Sequence, residues 1–592
     1  MRTAAKKNHL VLLPLIFLPL LFLWAGDITV TLFNNDDLYL KIIASGEFTG
    51  SPDAHLVHIG ILTGLLFKGL YTLVPSVPWF GLLLFAYGYL AIYISLYLIS
   101  CKINKTVPGV FFFLFWSLVS FAFMWLHLVQ LQYTTITALV CAASIVSFYL
   151  SEDAQTSREY LKNNILSVLF FFLAIELRDK AAIMFLPTFA FIGLAKCIRD
   201  RKLFKPVLAY GATILSIVIV AFGVERIAYS EENLASFEAY NTARENIVDY
   251  QGFPDYETHR SDYEALGISY DSYLTMVTRY HLLLDENIDT DFMLEMEALS
   301  GSHTFQPGQM WTSFLNRHIG DYMDRPLNLI VYVLYFFTVL LLLFSKQRKG
   351  LWDVVALFSG RMVIWFYLLY INRPEARVTQ GVYMAEFLIL LGIITHYDLC
   401  LLNKDKKIKF GLRGMWTRIK KAKQLPQRIV LLLFCATTVF TSVKWGLPHI
   451  DMIIRYSRER AYFSCAYREI RTYFYENADN LYLADTNTFS YFTEDAFVST
   501  IPSRANFVLL GSWTANSPWS QSIADAHGIT SYERDALARD DVYFVFLKGD
   551  ATDYHYMEQY YQSKYPNTYF ELCDTVYTSN GLEFHIMQVK QK

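Results

Sequence analysis

The feature that most constrains the fold is a series of apolar runs that are long enough to cross a lipid bilayer. The hydrocarbon core is about 30 Å thick, and about 20 helical residues span it. Only 18% of the 592 residues are charged and 54% are hydrophobic, which leaves too little charge to cover a soluble protein of this length. The sequence therefore predicts a mainly α-helical, polytopic membrane bundle. We assign eleven spans, at 9–26, 79–100, 108–127, 130–150, 163–177, 181–196, 206–224, 326–345, 351–371, 378–397 and 429–447.

Basic residues beside the spans predict which ends face the cytoplasm. Arg2, Lys6 and Lys7 precede the first span. By the positive-inside rule the N-terminus is therefore cytoplasmic, and we expect the protein to reside in the plasma membrane. The longest basic stretch, Lys404 to Arg428, then also lies inside. The formal net charge of −3 gives no indication of a nucleic-acid partner.

Residues 56–74 are apolar enough to span the membrane, but the charge pattern argues against it. If they crossed, every later loop would change sides and the basic loops would face outward. We therefore expect a helix that lies along the outer face or re-enters the membrane. Lys68 in its middle and the prolines that follow, Pro75 and Pro78, agree with this expectation.

This topology leaves three outer segments: the first loop at 27–78, an acidic insertion at 225–325, and everything after 447. We divide the chain into a membrane domain, 1–447, and an extracytoplasmic α/β domain, 448–592.

The residue pattern of the C-terminal domain predicts both helix and strand. We expect a helix over 451–475 and strands at 481–484, 542–547 and 583–587. The domain has two cysteines, Cys465 and Cys573, which are as compatible with two free thiols as with a disulfide.

Two adjacent acids, Asp36 and Asp37, follow the first span by a few residues and are the candidate catalytic groups. A carboxylate held at the outer face, beside a lipid-borne substrate, can take a proton from a hydroxyl. The alternative is that these residues cap the next helix, because Asn and Asp are favoured at N-caps. Other charged groups predicted on the same face favour the catalytic interpretation.

The stretch 53–58 contains a second group of polar side chains in the same loop. His55 and His58 are three residues apart and project from one side of a helix. Together with Asp53 they could hold a divalent cation such as Mg²⁺ or Mn²⁺, although the spacing fits no zinc motif. We favour a role in orienting the donor or acceptor head group, and nothing in the sequence requires a cofactor.

Arg178 and Lys180 interrupt two apolar runs, at a turn that we place at the outer face. Ionisable groups at such a depth are costly and tend to be functional. The alternative is that both side chains extend to the lipid head groups without a further role. We predict that they bind the phosphate of a lipid-linked donor.

Arg373 and Arg377 flank Pro374 at the predicted start of a later span. Proline suits the first helical turn, with Asn372 or Arg373 as the cap. A helix N-terminus attracts anions, and arginine binds phosphate oxygens bidentately. The alternative is an exposed pair of arginine with Glu375, which would contribute little. We favour phosphate binding here as well.

This arrangement resembles the GT-C superfamily of integral-membrane glycosyltransferases. The matching pieces are Asn35-Asp36-Asp37 in the first outer loop, the helix after Asp53, and the outer basic turns. The stretches 372–379 and 510–513 also resemble a group of bacterial membrane proteins with this layout. The resemblance implies a sugar donor linked to polyprenyl phosphate or pyrophosphate, with the base at Asp36 or Asp37. The commoner acidic motif of the family is Asp-Glu, so the resemblance does not say which acid acts.

We therefore expect an inverting glycosyltransferase that moves a hexosyl or pentosyl group from a polyprenyl carrier to a glycan, lipid or protein acceptor of the cell envelope. A polysaccharide repeat-unit polymerase is an alternative, but it would not need an acid in the first loop. A transporter or flippase should show repeated halves and charges at the bilayer midplane. The sequence shows no internal repeat, and most of these spans have no charge near their middle. Outer aromatics such as Trp311, Trp513 and Trp519 suit stacking on sugar rings, although such residues more often pack in a core.

Overall fold

The computed structural model describes residues 23, 26–33, 35–103, 107–301, 307–320, 326–345, 347–371, 373–399, 425–490, 493–498, 504–549 and 554–592. Several predictions fall on residues outside these ranges: most of the first span at 9–26 with Arg2, Lys6 and Lys7 before it, the cap residue Asn372, and the basic stretch as far as residue 424.

Helices form most of the described chain. In chain order they are α1 (Asn35–Ser45), α2 (Ile61–Leu73), α3 (Trp79–Lys102), α4 (Val107–Met124), α5 (Leu126–Val129), α6 (Tyr133–Leu150), α7 (Ser157–Asn163), α8 (Ile165–Leu177), α9 (Asp179–Ile183), α10 (Leu186–Arg199), α11 (Phe204–Ala228), α12 (Glu232–Glu245), α13 (Arg260–Ala265), α14 (Tyr270–Arg279), α15 (Thr290–Ser300), α16 (Pro307–Leu315), α17 (Leu327–Phe344), α18 (Leu351–Tyr370), α19 (Ala376–His396), α20 (Leu425–Thr441), α21 (Leu447–Glu476), α22 (Thr486–Ser490), α23 (Pro518–His527), α24 (Tyr532–Ala538) and α25 (His555–Lys564). The strands are β1 (Thr31–Leu32), β2 (Gln130–Leu131), β3 (Leu481–Ala484), β4 (Phe507–Leu509), β5 (Val542–Leu547), β6 (Thr568–Tyr577) and β7 (Glu583–Gln591).

Within the described residues, eight helices are long and apolar enough to cross a membrane, or nine if one bent pair counts as a single span. The eight are Trp79–Lys102, Tyr133–Leu150, Asp179–Arg199, Arg201–Ala228, Leu327–Phe344, Arg348–Tyr370, Ala376–His396 and Pro426–Glu476. The bent pair is α7 with α8, which meet at 64°. The chain is thus a multi-pass helical membrane protein, as predicted. The total of eleven spans stays a prediction.

The described chain divides into two compact units, each made of three stretches. The first, which we call the membrane unit, comprises Met1–Thr29, Leu83–Phe222 and Gln306–Ser457. The second, the sheet unit, comprises Val30–Leu82, Gly223–Phe305 and Arg458–Lys592. The last of these boundaries lies ten residues beyond the division that the sequence predicts after residue 447. The sheet unit thus draws on all three segments that the sequence assigns to the outer face.

The centre of the membrane unit is formed by α6 and α19, which pack against each other. Every residue of α6 is buried, and so is almost all of α19. Ala138 and Gly381 meet at this interface so closely that a Cβ at Gly381 would lie 2.5 Å from that of Ala138. Small residues at a helix contact let two backbones approach, which is how spanning helices associate without a hydrophobic driving force.

An ion pair lies in the middle of two spanning helices of the membrane unit. Arg361 Nη1 on α18 is 3.0 Å from Glu386 Oε2 on α19, and both side chains are buried. The hydroxyls of Tyr332 and Tyr383 accept hydrogen bonds from Arg361 Nη2 at 3.2 Å. Buried intramembrane charges are expected to pair in this way. Most of the spans predicted from the sequence lack charge at their middle, and the two helices that carry this pair are exceptions.

The sheet unit contains a five-stranded mixed sheet with the strand order β4-β3-β5-β7-β6. Strand β3 is parallel to β4 and β5, whereas β7 is antiparallel to β5 and β6. The strands predicted at 481–484, 542–547 and 583–587 and the helix predicted at 451–475 correspond to β3, β5, β7 and α21. Both cysteines of this unit are free thiols: Cys465 Sγ lies 3.3 Å from Glu469 Oε1, and Cys573 Sγ 3.5 Å from Gln588 Oε1.

Helix α2 occupies most of the ambiguous segment 56–74. Its 13 residues give a length of about 20 Å, which falls short of the roughly 30 Å hydrocarbon core. One face is buried in the sheet unit, where a Cβ at Gly64 would lie 1.9 Å from the Ala54 carbonyl oxygen. The other face exposes Leu62, Leu65 and Leu66. A short helix with one exposed apolar face is typical of a helix that lies along a membrane surface.

Candidate functional site

Asp36 and Asp37 lie in the first turn of α1, where the free N–H groups and the helix dipole stabilise negative charge. Asp36 is partly exposed, and its Oδ1 accepts a hydrogen bond of 3.1 Å from the indole N–H of Trp513. Asp37 is completely buried. A general base must reach the proton that it removes. The difference in exposure therefore favours Asp36 over Asp37 as a group that contacts substrate.

Both carboxylate oxygens of Asp53 accept hydrogen bonds. Its Oδ1 accepts the backbone N–H of His55 at 3.1 Å and lies 2.8 Å from Nδ1 of the same residue. Its Oδ2 accepts the indole N–H of Trp519 at 2.8 Å. The His55 ring also packs edge-on against Tyr229, with 5.2 Å between the ring centroids. These contacts fix the position of Asp53 relative to the rest of the sheet unit.

The contacts of this pair shift both of its pKa values. Burial alone would raise the pKa of Asp53, but the hydrogen bonds from His55 and Trp519 outweigh it and lower the pKa to about 2. The hydrogen bond with Asp53 raises the pKa of His55, against the opposing effect of burial. The aspartate–imidazolium form of the pair is therefore favoured.

These shifts predict how the stability of the sheet unit depends on pH. Since the pKa of Asp53 is lowered from 3.8, its contribution is present above pH 3.8 and is lost as the pH falls toward 2. Since the pKa of His55 is raised from 6.5, its contribution is complete below pH 6.5 and is lost as the pH rises through the raised value. We expect the melting temperature of the wild type to exceed that of His55→Gln most at pH 5–6, and the difference to shrink at alkaline pH. A difference that is constant from pH 5 to 9 would contradict this assignment.

Trp513 and Trp519 pack against each other edge-on, with ring centroids 6.5 Å apart, and both are almost completely buried. The ring of His58 lies against Trp513, with 5.3 Å between the centroids. We call Asp36, Asp53, Trp513 and Trp519 the acid–indole cluster. It joins the loop at 27–78 to the stretch that follows β4, within one unit of the protein. The idea that these two tryptophans stack on sugar rings does not agree with their burial.

The backbone around the cluster is strained. Val57 has a φ of 58°, which is unusual for a β-branched residue, and Ser512 and Asn516 have φ values of 74° and 56°. Asn516 is held by a hydrogen bond of 2.8 Å from its Nδ2 to the carbonyl of Ile288. Such residues cost about 1–3 kcal/mol each and persist where the surroundings enforce them, often at functional sites.

A buried network of four charges anchors α1. Lys41 Nζ on α1 lies 2.6 Å from Glu47 Oε1 and 2.7 Å from Glu494 Oε2. Arg471 on α21 pairs with the other oxygen of Glu47 and lies 3.7 Å from Glu494 Oε1. Two cations and two anions balance, which is a condition for burying them. We call these residues the charge quartet; it holds the helix that carries Asp36.

The predicted phosphate-binding residues belong to the membrane unit. Arg178 separates α8 from α9, and its guanidinium lies 5.4 Å from the ring centre of Tyr133. Lys180 is exposed.

The start of α19 differs from the prediction. The helix begins at Ala376, so Glu375 is the N-cap and Pro374 precedes it, rather than occupying the first turn. Arg377 lies in the first turn of α19 and Arg373 lies before the cap. Both arginines are thus near a helix N-terminus, but their binding of phosphate stays a prediction.

Among the described residues, no group of three or more His, Cys, Asp or Glu side chains is arranged to hold a metal ion. Asp53 and His55 contact each other and protein partners instead, and His58 contacts Trp513. Binding of Mg²⁺ or Mn²⁺ stays an untested prediction.

The described residues define a multi-pass helical membrane protein with a carboxylate–indole cluster in a separate α/β-containing unit. No family model and no curated protein matches the chain. The chain is similar to the crystal structure of ArnT from Cupriavidus metallidurans bound to undecaprenyl phosphate, with 11% identity, a TM-score of 0.46 and 98% of each chain covered. It is likewise similar to ArnT from the same organism in the apo state, with 11% identity, a TM-score of 0.45 and 97% of each chain covered. Both likenesses are weak.

Proposed function

We propose that the protein is a membrane glycosyltransferase, which moves a sugar from a polyprenyl-phosphate or polyprenyl-pyrophosphate carrier to a hydroxyl of a cell-envelope acceptor at the outer face. The main support for the proposal is the position and exposure of Asp36. It is a partly exposed carboxylate in a first helical turn, with one oxygen held by an indole N–H. The carrier class is the one that the resemblance of the sequence motifs implies.

The proposed reaction needs one base and one leaving phosphate. Asp36 takes the proton of the acceptor hydroxyl as that oxygen attacks the anomeric carbon. The bond between the anomeric carbon and the phosphate oxygen breaks, and the polyprenyl phosphate or pyrophosphate leaves with the bonding electrons. Direct displacement inverts the anomeric configuration. Binding of the departing phosphate by Arg178, Lys180, Arg373 or Arg377 is a separate part of the proposal, supported by the position of the last two near a helix N-terminus.

The test is transfer by the full-length protein in liposomes that contain a panel of polyprenyl-phosphate and polyprenyl-pyrophosphate sugars. Products are analysed by mass spectrometry, and the anomeric configuration by NMR. Transfer with inversion supports the proposal, whereas transfer with retention contradicts direct displacement. Scrambling of a fluorescent lipid-linked glycan, without transfer from any donor, would overturn the proposal in favour of a transporter.

A further inference from the structure

We propose that the stretch 510–519, which follows β4, is part of the catalytic site: the indole N–H of Trp513 positions Asp36, and that of Trp519 positions Asp53. This inference rests on the proposed function, because it takes Asp36 as the base. It adds two positioning residues from the C-terminal region, where the sequence analysis places no candidate site residue. The two contacts are N–H to carboxylate hydrogen bonds of 3.1 and 2.8 Å.

The burial of the two indoles decides what they can do. Trp513 is 4% exposed and Trp519 is 2% exposed, so neither ring presents a face to a ligand. A buried indole N–H needs an acceptor, since leaving it without one would cost about 1–3 kcal/mol. In both residues that acceptor is a carboxylate of the first outer loop. The indoles therefore act through the acids and not on a sugar.

Backbone geometry fixes where the indole of Trp513 lies. At Gly511, two residues before Trp513, a Cβ would lie 1.8 Å from the carbonyl oxygen of Tyr280, so only glycine fits there. Ser512, which directly precedes Trp513, and Asn516, three residues after it, have positive φ, and Asn516 donates a hydrogen bond to the Ile288 carbonyl. These constraints limit the positions that the indole of Trp513 can take.

A donor of this kind restrains the rotamer of the carboxylate, and misplacement of a catalytic group by about 1 Å can cost about a hundredfold in rate. Loss of the N–H should therefore lower kcat by about 10- to 100-fold, with little change in KM.

The test replaces Trp513 of the full-length protein with benzothienylalanine, in which sulfur stands where the indole has its N–H. The ring keeps its shape, so packing is nearly unchanged and the hydrogen bond alone is lost. Trp513→Phe is the genetically simpler second variant. The matched control is Trp79→Phe, because the indole of Trp79 also donates one hydrogen bond, of 3.0 Å, but to the backbone carbonyl of Val74.

We expect the analogue at 513 to lower kcat while KM changes little, whereas Trp79→Phe leaves both parameters unchanged. If the wild type transfers sugar, Asp36→Asn abolishes transfer and the analogue behaves as wild type, the inference is wrong while the proposed function stands. A readout independent of transfer uses protein labelled with 5-fluorotryptophan. The ¹⁹F resonance of Trp513, assigned by its loss in Trp513→Phe, should shift in Asp36→Ala, which removes the acceptor. An unchanged resonance overturns the inference even if no donor is found.

Discussion

Asp36→Asn is expected to lower sugar transfer by about 10²- to 10⁴-fold, the range of a lost general base. Asparagine has nearly the same shape as aspartate and keeps a side-chain oxygen that can accept the N–H of Trp513. The substitution therefore removes basicity while it leaves the acid–indole cluster assembled. The loss should appear in kcat, with KM changed only a few-fold, because the proton is taken in the transition state. Initial rates with the reconstituted full-length protein measure both parameters.

Asp37→Asn is the matched control for this experiment. Asp37 is the adjacent acid in the same helical turn, but its side chain is completely buried. We expect this substitution to lower the melting temperature and the yield of folded protein, with the kcat of the folded fraction within about tenfold of wild type. If Asp37→Asn instead abolishes transfer and Asp36→Asn does not, the roles of the two acids are reversed. If neither variant affects transfer, the acids are helix-capping groups and the mechanism is wrong.

The membrane class and most of the span positions could be predicted from sequence because hydropathy is a local property. Each of the eight described helices that are long and apolar enough to cross a membrane corresponds to a predicted apolar run. Strands β3, β5 and β7 could be predicted for the same reason, because their apolar residues form short continuous runs. Strand β4 was missed because it has only three residues, Phe507–Leu509. Strand β6 was missed because half of its residues are exposed and its middle, Glu571 to Asp574, shows no apolar alternation.

The candidate site could be predicted only in part. Asp36 is adjacent to Asp37, and Asp53 is two residues from His55, so the sequence itself places each of these two groups together. Trp513 is 477 residues away from Asp36, and no local pattern connects them. The charge quartet was missed for the same reason, since Lys41 and Arg471 look like ordinary surface residues in the sequence. A lysine or arginine can be buried only beside an anion that compensates its charge, and the sequence does not show which distant anion that is.

Glu47→Gln is expected to lower the free energy of unfolding by about 3–5 kcal/mol, because it leaves two buried cations with one anion. The charges of the neighbours support this sign. Burial alone would raise the pKa of Glu47, but Arg471 and Lys41 outweigh it and lower the pKa. The contribution of Glu47 is therefore present above its ordinary pKa of 4.5 and is lost as the pH falls through the lowered value. Denaturant unfolding of the full-length protein in detergent micelles at pH 7, followed by tryptophan fluorescence, measures the loss.

Two comparisons separate a buried network from an ordinary ion pair. The first is Glu583→Gln, which breaks a pair with Lys548 of 2.7 Å that is largely exposed, and which should lower the free energy of unfolding far less than Glu47→Gln does. The second is the double variant Lys41→Met with Glu47→Gln, which restores the charge balance by leaving Arg471 with Glu494. Because neighbouring substitutions are not additive, we expect the double variant to be more stable than Glu47→Gln alone. A double variant whose loss equals the sum of the two single losses would show that the four charges do not act as one network. Helix α1 would then depend on apolar packing alone to hold Asp36 in place.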